Sequence, residues 1–339
     1  MYNILFYCYG NHQMGMGHVY KMSALAHNLK AYNSQIKFLM PDYEEGINYI
    51  AGEGHDIYKI DSRLSEDLQI GSAGEFLERY SPYFIIVDSL QSSIFRSSFF
   101  KKYSKYLVVF DDTGTGHKYA DLVFNTIYKC LYPDGATYEL YESPLYTLLR
   151  EDFGLYNQKE KVIPKRVQSI LVTQGGADTY GVLPELTKIL SAIDNDITID
   201  VVIGPSFKHW NELKDALSAA PRSFNIKEKV RDMARLMYNT DLAISGAGVT
   251  LYELAAIGVP TIVVTQEYKE IETADLFQSY GFIISYGLWE TVNKENLLDN
   301  IKLLIDDQPK RLCMSQQGKR SVDGQGMKRI TNILKEYLQ

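Results

Sequence analysis

The chain has 339 residues, 45% of them hydrophobic and 23% charged, which suits packed globular cores and exceeds one core of usual size, so two domains are expected. The net charge of −7 excludes a general binder of nucleic acid or of anionic membrane, because both need a basic surface. The three cysteines, Cys8, Cys130 and Cys313, are widely spaced and form neither a zinc spacing nor a disulfide framework, which fits a reducing cytoplasm.

The opening run "YNILFYCY" is too short for a secretory signal and lacks a basic flank. No apolar run approaches the roughly 20 residues of a membrane helix, so no integral membrane segment is expected. Residues 3–9 predict a strand, and helical spacing follows over 18–30 through Val19, Met22, Leu25, Ala26 and Leu29. Strands are expected at 36–40 and 55–61, a polar helix at 65–79, and buried strands at 83–88 and 106–112, both ending in aspartate. Another strand is expected at 122–126. The polar, weakly patterned stretch 150–167 reads as a linker, with Pro164 near its end.

Beyond it the alternation resumes: strand and glycine turn at 169–176, helix at 181–193, strand at 199–204, helix at 208–220 and a short strand at 224–230. A helix at 231–240, strand and glycine turn at 241–248, helix at 249–258 and strand at 259–265 come next, and a final helix covers 323–338. Strands with little polar alternation, separated by helices, imply parallel sheets covered on both faces. The expected fold class is α/β, with two similar halves and a cleft between them. A domain at 1–150, a second at 165–322 and a closing helix at 323–339 that packs back on the first are expected.

In such folds ligands sit at the carboxyl ends of the strands, where the glycine turns fall. "GMGH" carries Gly15, Gly17 and His18, "QGGAD" carries Gly175 and Gly176, and "SGAGVT" carries Gly246, Ala247, Gly248, Val249 and Thr250. Each sets backbone N–H groups of a helix start where an anion can meet them. None has the Lys-Ser/Thr pair of a P-loop. The last loop holds no Lys or Arg, so a diphosphate there is held by backbone dipoles, with the Thr250 hydroxyl in reach. Glu253, expected on the first turn of the following helix, can accept hydrogen bonds from two ribose hydroxyls or simply complement the helix dipole. A neutral imidazole at His18 can take a proton near neutral pH.

Adjacent acids Asp111 and Asp112 at a strand end point to opposite sides, which disfavours joint chelation, and a metal-free site is expected. Asp88, His117 and Asp178 end strands or open turns and read first as caps, with sugar contact as the alternative. Trp210 opens a helix and packs on the fold. The basic stretch after Gln308 reads as a solvated face. His12 is a further titratable group without an assigned role. Neither composition nor motif sets an oligomeric state.

The stretch "ISGAGVTLYELAAIGVPTIVV" resembles the nucleotide-diphosphate-sugar motif of GT-B-fold enzymes, the group that contains MurG-type glycosyltransferases. The segments "GMGHVYKMSALAHNL", "IIVDS", "VVFDD", "YTLLREDF", "ILVTQGGAD", "VVIGPSF", "VRDMARLMYNTDLAISGAGVTLYELAAIGVP" and "SVDGQGMKRI" make the whole chain similar to the UDP-sugar hydrolases of the pseudaminic acid pathway and their spore-coat polysaccharide relatives.

The resemblance implies a GT-B fold of two Rossmann-like domains facing across a cleft. It implies hydrolysis of a UDP-linked amino or deoxy sugar at the anomeric carbon, without metal or cofactor. His18 is then catalytic. Gly17, Gly175, Gly176 and the loop Gly246, Ala247, Gly248, Val249 and Thr250 hold the diphosphate, Glu253 the ribose, and the backbone at Val230 and Met233 the base. Gly15, Asp88, Gln91, Lys269 and Glu270 fall on the sugar side. Three places depart from the family pattern. Leu90 stands in "DSLQ" where the family has tyrosine, Lys269 and Glu270 stand where it has an Asn-Gln pair, and "YGNHQM" precedes "GMGH". They leave two further readings open, a GT-B glycosyltransferase that passes the sugar to a hydroxyl and a degenerate nucleotide-sugar-binding subunit.

Overall fold

Side chains alternate along the first strand so that Ile4, Phe6 and Cys8 face one side and Leu5 and Tyr7 the other, and all five are buried. A strand wetted on neither face needs helices on both sides. The computed structural model supplies them; it describes residues 1–11, 15–89, 91–111, 113–126, 137–194 and 196–338. His12, Leu90, Asp112 and Cys130 lie outside the described residues. The chain divides into two units, Met1–Leu148 with Gly326–Gln339, and Leu149–Gln325.

The first unit runs β1 (Tyr2–Cys8), α1 (Gly17–Leu29), β2 (Ser34–Pro41), α2 (Glu44–Gly52), β3 (Asp56–Ile60), α3 (Glu66–Ser72), α4 (Gly74–Tyr80), β4 (Phe84–Asp88), α5 (Ile94–Tyr103), β5 (Tyr106–Phe110), β6 (Leu122–Asn125) and β7 (Glu139–Glu142). All neighbours pair in parallel, in the order β3-β2-β1-β4-β5-β6-β7. One core joins Ile4, Phe6, Phe38 and Ile86 to Val19, Met22 and Leu25 of α1, and the other joins Leu5, Tyr7 and Val87 to Leu77 and Phe100.

The second unit runs α6 (Glu151–Asn157), β8 (Ser169–Thr173), α7 (Val182–Leu190), β9 (Thr198–Ile203), α8 (Trp210–Ala219), β10 (Asn225–Glu228), α9 (Met233–Tyr238), β11 (Leu242–Ser245), α10 (Val249–Ile257), β12 (Thr261–Thr265), α11 (Tyr268–Ser279), β13 (Ile283–Leu288), α12 (Lys294–Asp306) and α13 (Gln308–Ser321). Its parallel sheet has the order β10-β9-β8-β11-β12-β13. Val172, Val201, Ile244 and Ile262 of the sheet pack on Leu186 of α7 and Ile301 of α12. The closing helix α14 (Gly326–Glu336) belongs to the first unit, where Ile330 and Leu334 enter the α1 core.

Both sheets have the doubly wound α/β order, as the alternation of strands and helices leads one to expect. Some boundaries differ. The helix expected over 65–79 is two helices broken at Ala73, within "GSAG", whose glycines and serine favour turns over continued helix. The short strand expected to 230 stops at Glu228, because Lys229 takes a left-handed φ of 50°. The helix expected from 231 starts at Met233, where the Asp232 side chain accepts the Arg235 N–H at 2.9 Å. The polar stretch after residue 150 opens with α6 rather than free linker, and the final helix starts at Gly326, after Gly324 at φ +69°.

Candidate active site

β1 ends at Cys8 and α1 begins at Gly17, and between them Gly15 takes φ +84°, with its N–H donating to the Asn11 carbonyl at 2.8 Å. Only glycine enters that region without strain. His18 is therefore the second residue of α1, with 27% of its side chain exposed. Its Nδ1 lies 2.7 Å from Oδ1 of Asp88, a side chain with no exposed surface. Asp88 ends β4, and the β1–β4 register sets it beside Cys8.

Lys21, one turn further along α1, places Nζ 3.1 Å from Asp88 Oδ2 and 3.5 Å from Asp111 Oδ2. Asp111 follows β5 at φ +46°, and its Oδ1 accepts the Thr126 backbone N–H at 2.7 Å and hydroxyl at 2.8 Å. Burial alone would push the Asp88 carboxyl up, but His18 and Lys21 outweigh it and hold it below its ordinary value. Burial would likewise weaken the Lys21 ammonium, but Asp88 and Asp111 hold its pKa above the ordinary value. An ionised carboxylate only accepts, so the Asp88 contact assigns the proton to Nδ1. Nε2 is then the ring's basic atom, the arrangement of a general base oriented by a buried acid.

In the second unit the loop Gly246–Gly248 joins β11 to α10. Gly246 and Ala247 are buried, while Gly248 and Val249 are exposed at the helix start and Thr250 is half-buried. The first N–H groups of a helix lack intrahelical acceptors, so this end offers donors to an anion. A Cβ on Gly248 would meet nothing, whereas one on Gly246 would press on Gln174 Oε1 at 3.2 Å. Gly175, at φ +71°, and Gly176 form the turn after β8, and Gly204 passes so close that a Cβ there would run into both of their carbonyls.

A polar chain lies beside the loop. Gln266 Nε2 donates to Gln174 Oε1 at 3.0 Å, and the Tyr180 N–H donates to Gln266 Oε1 at 3.0 Å. The Gln266 N–H donates to Glu270 Oε2 at 2.7 Å. Burial raises the Glu270 carboxyl above its ordinary value, against the pull of the Gln266 and Glu267 N–H groups. Glu253 is half-buried, and burial pushes its carboxyl up to about 7, opposed by Arg150 and helped by Asp152.

Several expectations change on this geometry. Asp88 was expected to cap or touch the sugar; it is fully buried and faces His18 and Lys21, so it cannot touch a ligand directly. Glu253 stands one turn inside α10, whose first turn carries no acid, so it does not cap the dipole. Lys269 points out to Glu267 at 2.6 Å, while Glu270 turns back to the Gln266 backbone. Gln91 is exposed, and its carbonyl accepts from the buried Arg96 guanidinium. Val230 follows β10 and Met233 opens α9, and both are half-buried. Asp178 does cap, accepting the Val182 and Leu183 N–H groups at 2.8 and 3.0 Å. Trp210 starts α8 and packs edge-on against Phe207 at 5.2 Å.

Lys21 and Gln266 were not singled out from sequence. For Lys21 the available signal was its position three residues after His18, on the same helical face. Among the described residues no group of three His, Cys, Asp or Glu side chains converges as metal ligands, and no helix is long and apolar enough to cross a membrane.

Residues 169–330 match the family model of the glycosyltransferase family 28 C-terminal domain. The chain is 28% identical to the spore coat polysaccharide biosynthesis protein SpsG of Bacillus subtilis (strain 168), over 97% of each. Among solved structures it resembles MurG of Acinetobacter baumannii, with a TM-score of 0.76 at 14% identity over 99% of this chain and 100% of that one. It also resembles the spinosyn rhamnosyltransferase SpnG complexed with thymidine diphosphate, with a TM-score of 0.69 at 13% identity over 100% of both chains. The fold is that of GT-B glycosyltransferases, with two parallel-sheet Rossmann-like units, and SpsG is a full-length homologue.

Proposed function

We propose that the chain hydrolyses a nucleotide-diphosphate sugar, a UDP-linked amino or deoxy sugar, in the making of a surface polysaccharide. The observation that carries this reading is the His18 ring tied at Nδ1 to Asp88, which leaves Nε2 as a base. Water gives its proton to Nε2 as its oxygen bonds to the anomeric carbon. The bond from that carbon to the diphosphate oxygen breaks, and its electron pair leaves with the nucleoside diphosphate. Diphosphate is a good leaving group and needs only stabilisation of its charge. The N–H groups at the start of α10 and the Thr250 hydroxyl supply that. Glu253 takes the ribose, and backbone groups near Val230 and Met233 take the base. The free thiols of Cys8 and Cys313 suit a cytoplasmic setting, where nucleotide sugars are made.

The match to a glycosyltransferase C-terminal domain favours a second reading, in which an acceptor hydroxyl replaces water at the same base. A panel of UDP- and dTDP-sugars, incubated with and without hydroxyl acceptors, separates the two by release of the nucleoside diphosphate. Release without acceptor that disappears in H18A supports hydrolysis. Release that needs an acceptor supports transfer. Nucleotide-sugar binding with no release in either condition leaves a degenerate binding subunit and sinks both enzymatic readings.

A further inference from the structure

Four groups with opposed charges are strung across the ends of three neighbouring strands of the first unit. His18 meets Asp88 at 2.7 Å, Asp88 meets Lys21 at 3.1 Å, and Lys21 meets Asp111 at 3.5 Å. The far end is anchored, because Thr126 donates twice to Asp111 Oδ1, at 2.7 and 2.8 Å. The Lys21 side chain is 12% exposed, Asp111 4% and Asp88 not at all, so water screens these charges poorly. Among the described residues, the Cys8 thiol at the end of β1 is a further titratable neighbour of Asp88 and Lys21, and burial pushes it up and keeps it neutral.

Two carboxylates and one ammonium leave the cluster with one net negative charge while the ring is neutral. A proton on His18 completes the balance. Without Asp111, Lys21 alone would cancel Asp88, and the ring would face no net countercharge. Without Lys21, two uncompensated carboxylates would draw the proton to the ring. Asp111 does not touch the imidazole and is linked to it only through Lys21 and Asp88.

We propose that Lys21 and Asp111 are a positioning pair that tunes the proton affinity of His18, Lys21 holding it down and Asp111 raising it. The proposal rests on the reading of His18 as the proton acceptor. Lys21 also fixes the Asp88 carboxylate by holding Oδ2, which leaves Oδ1 aimed at Nδ1.

The test is an NMR titration of the His18 ring in the full chain without substrate, its signal assigned by its loss in H18Q. In K21M the ring holds its proton to higher pH, and in D111N it releases the proton at lower pH, each displaced by about one pH unit. The double variant returns toward the unaltered protein, and K21R leaves the titration in place. A packing role alone would not move the two single variants in opposite directions. Unchanged titration in both, or displacement of both in one direction, overturns the proposal. If K21M does not fold, D111N decides by itself, because asparagine keeps an oxygen for both Thr126 contacts. Since no turnover is measured, failure here leaves the hydrolysis reading standing, and failure of nucleotide release leaves this pair standing.

Discussion

A carboxylate without exposed surface is unfavourable unless it is paired, and Asp88 is paired twice. Its folded pKa lies below the unfolded one, so its stabilisation is present above about pH 4 and is lost as pH falls through the folded value. Lys21 is the mirror case. Its raised pKa gives stabilisation below the ordinary lysine value, lost as pH rises through the folded value. D88N is expected to flatten acid unfolding below about pH 4 and to cost roughly 3 kcal/mol at neutral pH, read by urea denaturation across that range. If H18A lowers turnover by the ~10²–10⁴-fold of a lost general base, D88N should lower it too, because the ring loses its fixed tautomer. Glu253 runs the other way. Its carboxyl is raised to about 7, so the folded state is favoured at low pH and loses that advantage as pH rises through the folded value. E253Q should therefore be more stable than the unaltered protein at pH 8, by up to about 3 kcal/mol, and should bind UDP more weakly. Equal melting temperatures at pH 8 would count against the buried carboxylate.

His18 and the Gly246–Gly248 loop could be picked out by residue type and immediate neighbours, and both lie at the starts of helices. Asp88 was visible as a strand-end acid, but its partner was not. β1 and β4 are separated in the chain by two strands and four α-helices, and no local spacing records that they lie side by side. At the level of elements, both-sided burial was legible from unbroken apolar runs such as "YFIIVD". α11 and β13 have mixed polar faces that leave little periodicity to read, whereas α12 buries Leu297, Ile301, Leu304 and Ile305 at helical spacing and was legible though not singled out. The glycines separate packing from ligand access. Gly248 keeps φ −81°, open to any residue, with empty space where a side chain would go. G248A should fold with an unchanged melting temperature and bind UDP at least tenfold more weakly, measured by calorimetry. G204A should do the reverse and lower stability sharply, because its methyl runs into the Gly175 and Gly176 carbonyls.

At the scale of the whole molecule, the first unit is assembled from two distant stretches of chain and the second from one. Leu334 of α14 is fully buried in the α1 core. L334A is expected to cost ~2–5 kcal/mol, seen as a lower first transition in differential scanning calorimetry while the second unit melts as before. Gly326 is equally constrained, since a Cβ there would strike the Thr147 carbonyl. That discontinuity governs the order in which the protein is made. On the ribosome, residues 1–148 emerge first but stay without their last helix until 326 onward has been translated, whereas the contiguous unit is complete once residue 325 has been added. A nascent chain stalled after residue 325 should shield 149–325 from protease and leave the earlier-born half open to cutting. The unit that carries His18 starts first and is completed last.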